Sequence, residues 1–249
     1  MSSIRKPYAR TAAAVRSGVV ASLIQTLLTL DSDLNKSLPA GQYALKLKAP
    51  ESVESVISFN GGTRGAVLNF MSCEAMTDTL SGGKGAFIPY PSGGGFTKAL
   101  KAFQSCAAAV STAMSHVPEK EDKPGIEKKT RLLLTAALRG VCEVYNHDHW
   151  VKMKAAAIPA GTIAVRIAGT PDIAGTIRVK DKTMSYTPGA DLSAANAVLE
   201  FADIDTCYRV LTGQVAAMAE LGSGKVMLRG RLPMIQGLFP LLDRFGELM

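Results

Sequence analysis

The sequence predicts an α+β fold built as two related domains, each a mainly antiparallel sheet with helices on one face. Two observations carry this prediction. Segments of the first half recur in the second half in the same order, and helical and strand-like patterns follow one another in both halves. The 249 residues, 47% hydrophobic and 20% charged, are enough to form buried cores.

The internal repeat is clearest in two pairs of segments. "PAGQYALKLKA" (39–49) matches "PAGTIAVRIAG" (159–169), and "GAVLNFMSCEAMTDTLSG" (65–82) matches "NAVLEFADIDTCYRVLTG" (196–213) without a gap. Self-similarity over this length indicates a duplicated domain and not a solenoid of short repeats.

The two copies are separated by a polar segment. "SHVPEKEDKPGIEKK" contains two prolines and has the composition of an exposed connection. We therefore predict a first domain over residues 1–118, a linker over 119–129 and a second domain over 130–249.

Each copy begins with a helix. In "RTAAAVRSGVVASLIQTLL" the apolar positions recur every three or four residues, which predicts an amphipathic core helix; they are Val15, Val19, Leu23, Leu27 and Leu30. The basic residues before the apolar run imitate a secretory signal, but no A-x-A cleavage site follows. We expect no stretch long enough to span a bilayer. The second copy opens in the same way, with a stripe of Leu134, Leu138, Val141 and Tyr145.

The strands are clearest in the second copy. "GTIRVKDKTMSYTPG" (175–189) predicts two strands joined by a turn at "KDKT", and "ANAVLEFAD" (195–203) predicts a third. Alternating character along such strands indicates a sheet with one buried face, so we expect the other face to be wet.

The copies differ in length at two places. "QVAAMAELGS" lies between Gly213 and Gly224, whereas Gly82 is followed directly by Gly83, so the first copy lacks one element. The first copy is also seven residues shorter between its "PAG" turn and "ISFNGG", which we align with "MSYTPG"; this removes about a strand.

"GSGKVMLRGRLP" (222–233) contains a Gly-Lys pair that suggests a phosphate loop. Ala219 stands where that loop needs its first glycine, and Val226 replaces the Ser or Thr that would bind magnesium. Val226, Leu228 and Leu232 alternate with Lys225, Arg229 and Arg231, which is the period of a strand. We predict a turn that leads into a half-buried strand.

One long segment resembles a known family. "FADIDTCYRVLTGQVAAMAELGSGKVMLRGRLPMIQGLFPLL" (201–242) is similar to the sterol carrier protein type-2 (SCP2-like) family in its order of strand, polar helix start, helix ending in Thr-Gly, Ala/Met-rich segment and final apolar helix. The resemblance extends from about residue 130 to the end, with the first copy as a diverged relative. It implies a domain enclosing an apolar tunnel that binds or transfers a lipid: a sterol, fatty acid, fatty acyl-CoA or phospholipid.

We expect large or flexible apolar side chains of the second copy to line this tunnel, because Met repacks around varied ligands. The predicted lipid-binding residues are Met184, Tyr186, Phe201, Tyr208, Leu211, Met218, Leu221, Met227, Met234, Leu238, Phe239 and Leu242.

Two other functions stay open. The same fold with a filled interior would be an accessory protein-interaction module in lipid or quinone metabolism. An enzyme acting on a lipid thioester would depend on His147, His149 or Cys207. We expect no enzyme, no catalytic residue and no cofactor. The H-x-H pair in "NHDHW" fits a solvated helix end better than a metal site, and Asp203 and Asp205 fit a helix N-terminus better than an acid/base pair.

Charge and cysteine content bear on partners and location. The net charge of +7 is spread over both halves, and aromatic residues make up only 6%, so we expect no nucleic-acid partner. A transient contact with an anionic membrane surface stays open, because two basic strand faces would form one patch if their strands adjoined; they are Arg178, Lys180 and Lys182, and Lys225, Arg229 and Arg231. Four cysteines without paired spacing indicate free buried thiols and a cytoplasmic protein.

Overall fold

A computed structural model describes residues 5–154 and 158–249 and divides the chain into two compact units. The first unit comprises residues 1–116 and 248–249, and the second comprises residues 117–247. The α+β class is confirmed, since each unit contains one sheet with helices packed on it.

The first unit contains four helices and four strands over its described residues. They are α1 (Arg5–Leu30), α2 (Ser32–Ser37), β1 (Tyr43–Ala49), β2 (Val53–Phe59), β3 (Gly65–Phe70), α3 (Cys73–Leu80), β4 (Phe87–Pro91) and α4 (Phe96–Ser115). The strand order is β2-β1-β3-β4. The central pair β1/β3 is parallel, and the outer pairs are antiparallel.

The second unit adds one strand and several short helices to this plan. Its elements are α5 (Lys123–His147), α6 (His149–Lys154), β5 (Gly161–Ile167), β6 (Thr170–Lys180), β7 (Thr183–Pro188), β8 (Ala197–Phe201), α7 (Ile204–Leu211), α8 (Ala217–Gly222), β9 (Val226–Gly230), α9 (Leu232–Gln236) and α10 (Phe239–Leu248). The strand order is β7-β6-β5-β8-β9, with β5 and β8 parallel.

The predicted linker is shorter than its sequence suggests. Helix α5 begins at Lys123, inside the segment 119–129, because Asp122 caps it. The Asp122 carboxylate accepts the backbone N–H of Gly125 at 3.0 Å, which satisfies a donor that a helix start leaves free.

The two units share their strand order, but the matched sequences do not share one register. The gapless matches would pair Ala164 with Asn196, as Ala44 pairs with Gly65, whereas Ala164 pairs with Val198. A shift of two residues keeps every side chain on the same face of the sheet. The common order agrees with a duplicated domain, and descent from a duplication stays a prediction.

The element missing from the first unit is confirmed, but one equivalence is wrong. No helix follows α3 before β4 in the described first unit, where the second unit has α8. The segment "ISF" (57–59) ends β2, which pairs with β1 as β6 pairs with β5. It therefore corresponds to β6 and not to the strand of "MSYTPG", and the strand that the first unit lacks is β7.

Helix α1 is a core helix of the first unit. Val15, Val19 and Leu27 are at most 1% exposed. Tyr8–Leu30 is nevertheless long and apolar enough to cross a membrane, the one such helix among the residues described. The expectation that no stretch has this length is therefore wrong. Core helices pass the same test of length and composition, and more than half of the tested window is buried.

The strand after "GSGK" is confirmed but ends early. Gly224, with a φ of +76°, lies in the turn that leads into β9. The strand stops at Gly230, and Leu232, which we expected on its buried face, starts α9 and is 43% exposed. Pro233 at the second position of α9 explains the change, because its fixed φ suits a helix start.

The face of the second sheet away from its helices is wet only in part. Arg178, Ser185 and Thr187 are exposed on it, as predicted, but its middle is covered. Ala164 is fully buried there, and Thr176 and Glu200 are 7% and 4% exposed. The loop after β7 covers Thr176, whose hydroxyl donates to the Gly189 carbonyl at 2.7 Å and accepts the Asp191 N–H at 2.9 Å.

The predicted basic patch on this face does not form. Strands β5 and β8 separate β6 from β9, so the two sets of cations do not adjoin. Between them lies Glu200, whose carboxylate accepts the Arg166 Nε–H at 2.6 Å and lies 3.7 Å from the Arg229 guanidinium. The middle of the face therefore carries a paired acidic group.

Candidate apolar ligand site

Helix α5 lies across the inner face of the second sheet. Leu134, Leu138, Val141 and Tyr145 are all at most 6% exposed, so the predicted stripe is confirmed. The approach to β6 is close, because a Cβ at Gly175 would lie 2.4 Å from Leu138 Cδ1. Glycine at this position therefore allows the helix to contact the strand.

Polar contacts fix α5 to the edge strand β7. The Asn146 amide donates to the Met184 carbonyl and accepts the Met184 N–H, both at 2.8 Å, which satisfies backbone groups of an edge strand. The Thr135 and Tyr186 hydroxyls lie 3.4 Å apart. Burial raises the pKa of Tyr186, so this phenol stays neutral. The helix is thus closely packed over β6 and β7.

An apolar cavity remains on the other side of α5, under β5, β8 and β9. Its volume is about 90 Å³. Its lining consists of Leu134, Ala137, Leu138 and Val141 from α5, Val165 from β5, Leu199 and Phe201 from β8, Val210 and Leu211 from α7, Ala217, Met218 and Leu221 from α8, Val226 and Leu228 from β9, Ile235 from α9, Leu238, and Phe239 and Leu242 from α10. Every lining side chain is apolar, so the cavity suits a hydrocarbon and not a polar ligand.

Helix α8 forms one wall and is held by an ion pair. Met218 lines the cavity and is 66% exposed, which places it at the boundary with solvent. On another side of α8, Glu220 is buried, and its carboxylate lies 3.5 Å from the Arg209 guanidinium on α7. Gly213 and Gly224 flank the α8 segment with positive φ and open space around them. The segment is therefore bounded by residues that reorient at low cost.

Helix α10 forms another wall and is anchored to α5 and α6. A Cβ at Gly140 would lie 2.3 Å from the Phe245 ring, so α10 lies close to α5. The Arg244 Nε–H donates to the Asp148 carboxylate at 2.8 Å. The other Asp148 oxygen accepts the N–H groups of Trp150 and Val151 at the start of α6. Asp148, 4% exposed, thus connects three helices.

Seven predicted lipid-binding residues line this cavity. They are Phe201, Leu211, Met218, Leu221, Leu238, Phe239 and Leu242. Their role in binding stays a prediction, but the structure brings them together around one apolar space.

Five predicted residues do not line the cavity. Met184 and Tyr186 lie on β7, which α5 separates from it. Met227 pairs with Glu200 on the opposite face of the sheet, because it alternates with Val226 and Leu228. Met234 is fully buried near Gly161, and Tyr208 is buried on α7 outside the lining.

The cavity lining also contains residues outside the predicted set. Choosing large or flexible side chains overlooked aliphatic ones such as Val141, Val165 and Leu199. The signal was available: Leu134, Leu138 and Val141 repeat at helical spacing, and Leu199 alternates with Val198 and Glu200.

Cys207 lies in the core, His147 contacts Glu143 within α5, and Asp203 caps α7. Cys207 is fully buried, and burial raises the pKa of its thiol, so little of the reactive thiolate forms. His147 Nε2 lies 3.2 Å from the Glu143 carboxylate within α5. Asp203 caps α7 by accepting the Thr206 N–H at 2.7 Å, as predicted. No group of three or more potential metal ligands occurs in the described part of the chain.

Comparison with known proteins gives structural neighbours only. No family model matches the chain, and no curated protein matches it. One solved structure, described as "UbiJ-SCP2 Ubiquinone synthesis protein", is 17% identical, with 52% of this chain and 98% of that chain covered and a TM-score of 0.33.

A second solved structure is sterol carrier protein-2 like-3 from Aedes aegypti. It is 16% identical, with 39% of this chain and 92% of that chain covered and a TM-score of 0.24. The fold itself is defined by the strand order and register described above. The structural neighbours are thus SCP2-like proteins, the family that the sequence motifs resemble.

Proposed function

We propose that the second unit binds a lipid by its hydrocarbon chain in the apolar cavity, without catalysing a reaction. The supporting observation is a lining drawn from α5, the sheet and α7–α10 without any polar side chain. Each methylene group transferred from water into such a site contributes about 0.8 kcal/mol. A bound chain therefore needs no catalytic or charged partner.

The size of the cavity constrains how this binding occurs. At about 90 Å³, the cavity is well below the roughly 300–1,000 Å³ of typical ligand sites. A long chain therefore requires part of the wall to move outward. Helix α8 is the part we expect to move, because it has six residues, flexible glycines beside it and one ion pair to α7.

The small volume also favours a second candidate function. A cavity that stays closed by its own side chains would leave the unit as an accessory protein-interaction module in lipid or quinone metabolism. The two functions differ in one measurable property, the uptake of a hydrocarbon ligand by the purified chain.

Two variants on α8 test the proposal. Ala217 lines the cavity, whereas Ala219 lies on the same helix, is exposed and lies outside the lining. We would measure binding of a fluorescent fatty acid, its displacement by unlabelled lipids, and lipid carried through purification by native mass spectrometry. Ala217→Phe is expected to weaken binding by about tenfold or more, because the ring occupies the cavity.

Ala219→Phe is the matched control and is expected to bind as the parent chain does. Absence of binding and of co-purified lipid in the parent chain would leave the accessory module as the function. Equal effects of the two substitutions would place the ligand outside the cavity.

Three further properties belong to the proposal. The carrier acts without a cofactor, its location is cytoplasmic, and its encounter with an anionic membrane surface is transient. The overall charge of +7 supports the last point, since attraction to anionic lipid depends on net positive charge and weakens with salt.

A further inference from the structure

A second and larger hollow lies in the second unit, where β6 turns into β7. Its volume is about 430 Å³, which falls within the range of sites that hold small organic ligands. Buried Tyr145, Ile158 and Val179 form its floor, and exposed His149, Asp181 and Lys182 form its rim. We call these six residues the turn cup. It shares no lining residue with the apolar cavity.

The floor of the turn cup is apolar. Val179 and Tyr145 are each 4% exposed and Ile158 is 7% exposed, so these side chains come from the packed layer between α5 and the sheet. A hollow of this kind gains stability when an apolar body displaces water from it. A volume of about 430 Å³ is large enough for a compact ring system.

The rim supplies charge. Asp181 and Lys182 form the tight turn, with φ of +50° and +59°. No ion pair joins either of them to another side chain within residues 5–154 and 158–249. Lys182 is therefore available to an anionic group of a ligand, and Asp181 can accept a hydrogen bond from a ligand hydroxyl.

We propose that the turn cup binds a compact aromatic anion, with the ring against Tyr145 and Val179 and the anionic group at Lys182. This site is independent of the proposed lipid function, because it uses different residues. It requires no movement of α8.

The test uses the full chain with anilinonaphthalene sulfonate, which combines an aromatic body with one anionic group. Binding is measured by fluorescence titration, and the site is mapped from amide chemical shifts. We expect one site per chain, with the largest shifts at Val179 and Lys182. Ala160 lines the hollow and is exposed, so Ala160→Phe fills it and should weaken binding by about tenfold.

A pair of lysine variants isolates the role of charge. Lys182→Gln should weaken binding by roughly threefold to tenfold. Lys180→Gln removes a neighbouring cation that does not line the hollow and should change affinity by less than about twofold. Both residues are exposed, so these two variants keep the test valid even if Ala160→Phe fails to fold.

Three results would overturn the proposal. They are no binding by the parent chain, unchanged binding in Lys182→Gln, or loss of binding in Ala217→Phe, which would locate the probe in the apolar cavity. Failure of the lipid proposal is separate, because it appears as absence of fatty-acid uptake while the sulfonate still binds.

Discussion

The Arg209 guanidinium on α7 lies 3.5 Å from the buried carboxylate of Glu220 on α8. This ion pair joins two walls of the apolar cavity. The Arg209 side chain is about a third exposed, while the Glu220 side chain is 9% exposed. Few other polar contacts hold α8 in place. We therefore expect this ion pair to keep the cavity closed when no ligand is bound.

Removing the cation tests this arrangement. Arg209→Gln leaves Glu220 with the Ser223 hydroxyl at 3.2 Å as its remaining side-chain partner. We expect a loss of about 1–2 kcal/mol in the free energy of unfolding, because a buried charge loses its counterion. We also expect faster association of a fatty acid, measured by stopped-flow fluorescence.

Glu220→Gln is the partner variant and should cost less stability, because no buried charge remains. It should accelerate association in the same way. Unchanged association rates in both variants would show that the ion pair does not control access.

Deletion of residues 214–223 removes α8 and joins Gly213 to Gly224, the connection that the first unit has at Gly82 and Gly83. We expect loss of lipid uptake with retention of secondary structure by circular dichroism, since Ala217, Met218 and Leu221 are lost from the wall. Uptake equal to that of the parent chain would show that α8 is not a wall of the binding site.

Only part of the structure around α8 could be predicted from the sequence. The repeat correctly indicated that the first copy lacks this element, and alternation at Val226 correctly indicated a strand after "GSGK". Alternation could not show where β9 ends, because Leu232 continues the pattern into a helix. Strand order could not be predicted either, because the sequence around Arg178 and Arg229 does not show that two strands separate them.

The lining of the cavity was predictable only in part. Size and flexibility select Met218 and Phe239, which line the cavity, but also Met227, whose position in β9 places it on the other face. Because α5 packs over β6 and β7, the cavity forms under β5, β8 and β9. The position of α5 depends on long-range contacts such as Leu138 with Gly175.

Two glycine substitutions should have opposite effects. Gly140→Ala places a methyl group 2.3 Å from the Phe245 ring, so we expect destabilisation of about 1–3 kcal/mol despite better helix propensity. Gly246→Ala, in α10 with open space around it, should stabilise by about 0.5–1 kcal/mol. Urea unfolding measures both values.

Phe245→Leu should partly restore the Gly140→Ala variant by making room for the methyl group. Stabilisation by Gly140→Ala on its own would contradict the close approach of α5 and α10.

Asp148→Ala should be strongly destabilising, because Asp148 is buried. It removes the cap of α6 and the Asp148 partner of Arg244, whose guanidinium also contacts Glu247 at 2.6 Å. We expect a loss of about 2–4 kcal/mol from the missing cap and buried pair. Glu247→Gln, at an exposed position, should cost less than about 0.5 kcal/mol; similar losses in both variants would argue against the role of Asp148.

The four cysteines should resist modification in the folded chain. Burial raises the pKa of Cys106 to about 11 and also raises the pKa of Cys73, Cys142 and Cys207. A raised pKa lowers the thiolate fraction at any pH below it, to about 0.1% for Cys106 at pH 8. Ellman's reagent should therefore react slowly at pH 8 and rapidly with all four thiols in urea, and rapid reaction of one thiol in the folded chain would contradict their burial.

The proposed lipid site is tested most directly by intermolecular nuclear Overhauser effects between a bound fatty acid and methyl groups of the chain. Leu138, Leu199 and Leu221 place methyl groups on three different walls, in α5, β8 and α8. We expect protons of one acyl chain to contact all three. A bound fatty acid that contacts none of them, or a chain that takes up no fatty acid, would contradict it.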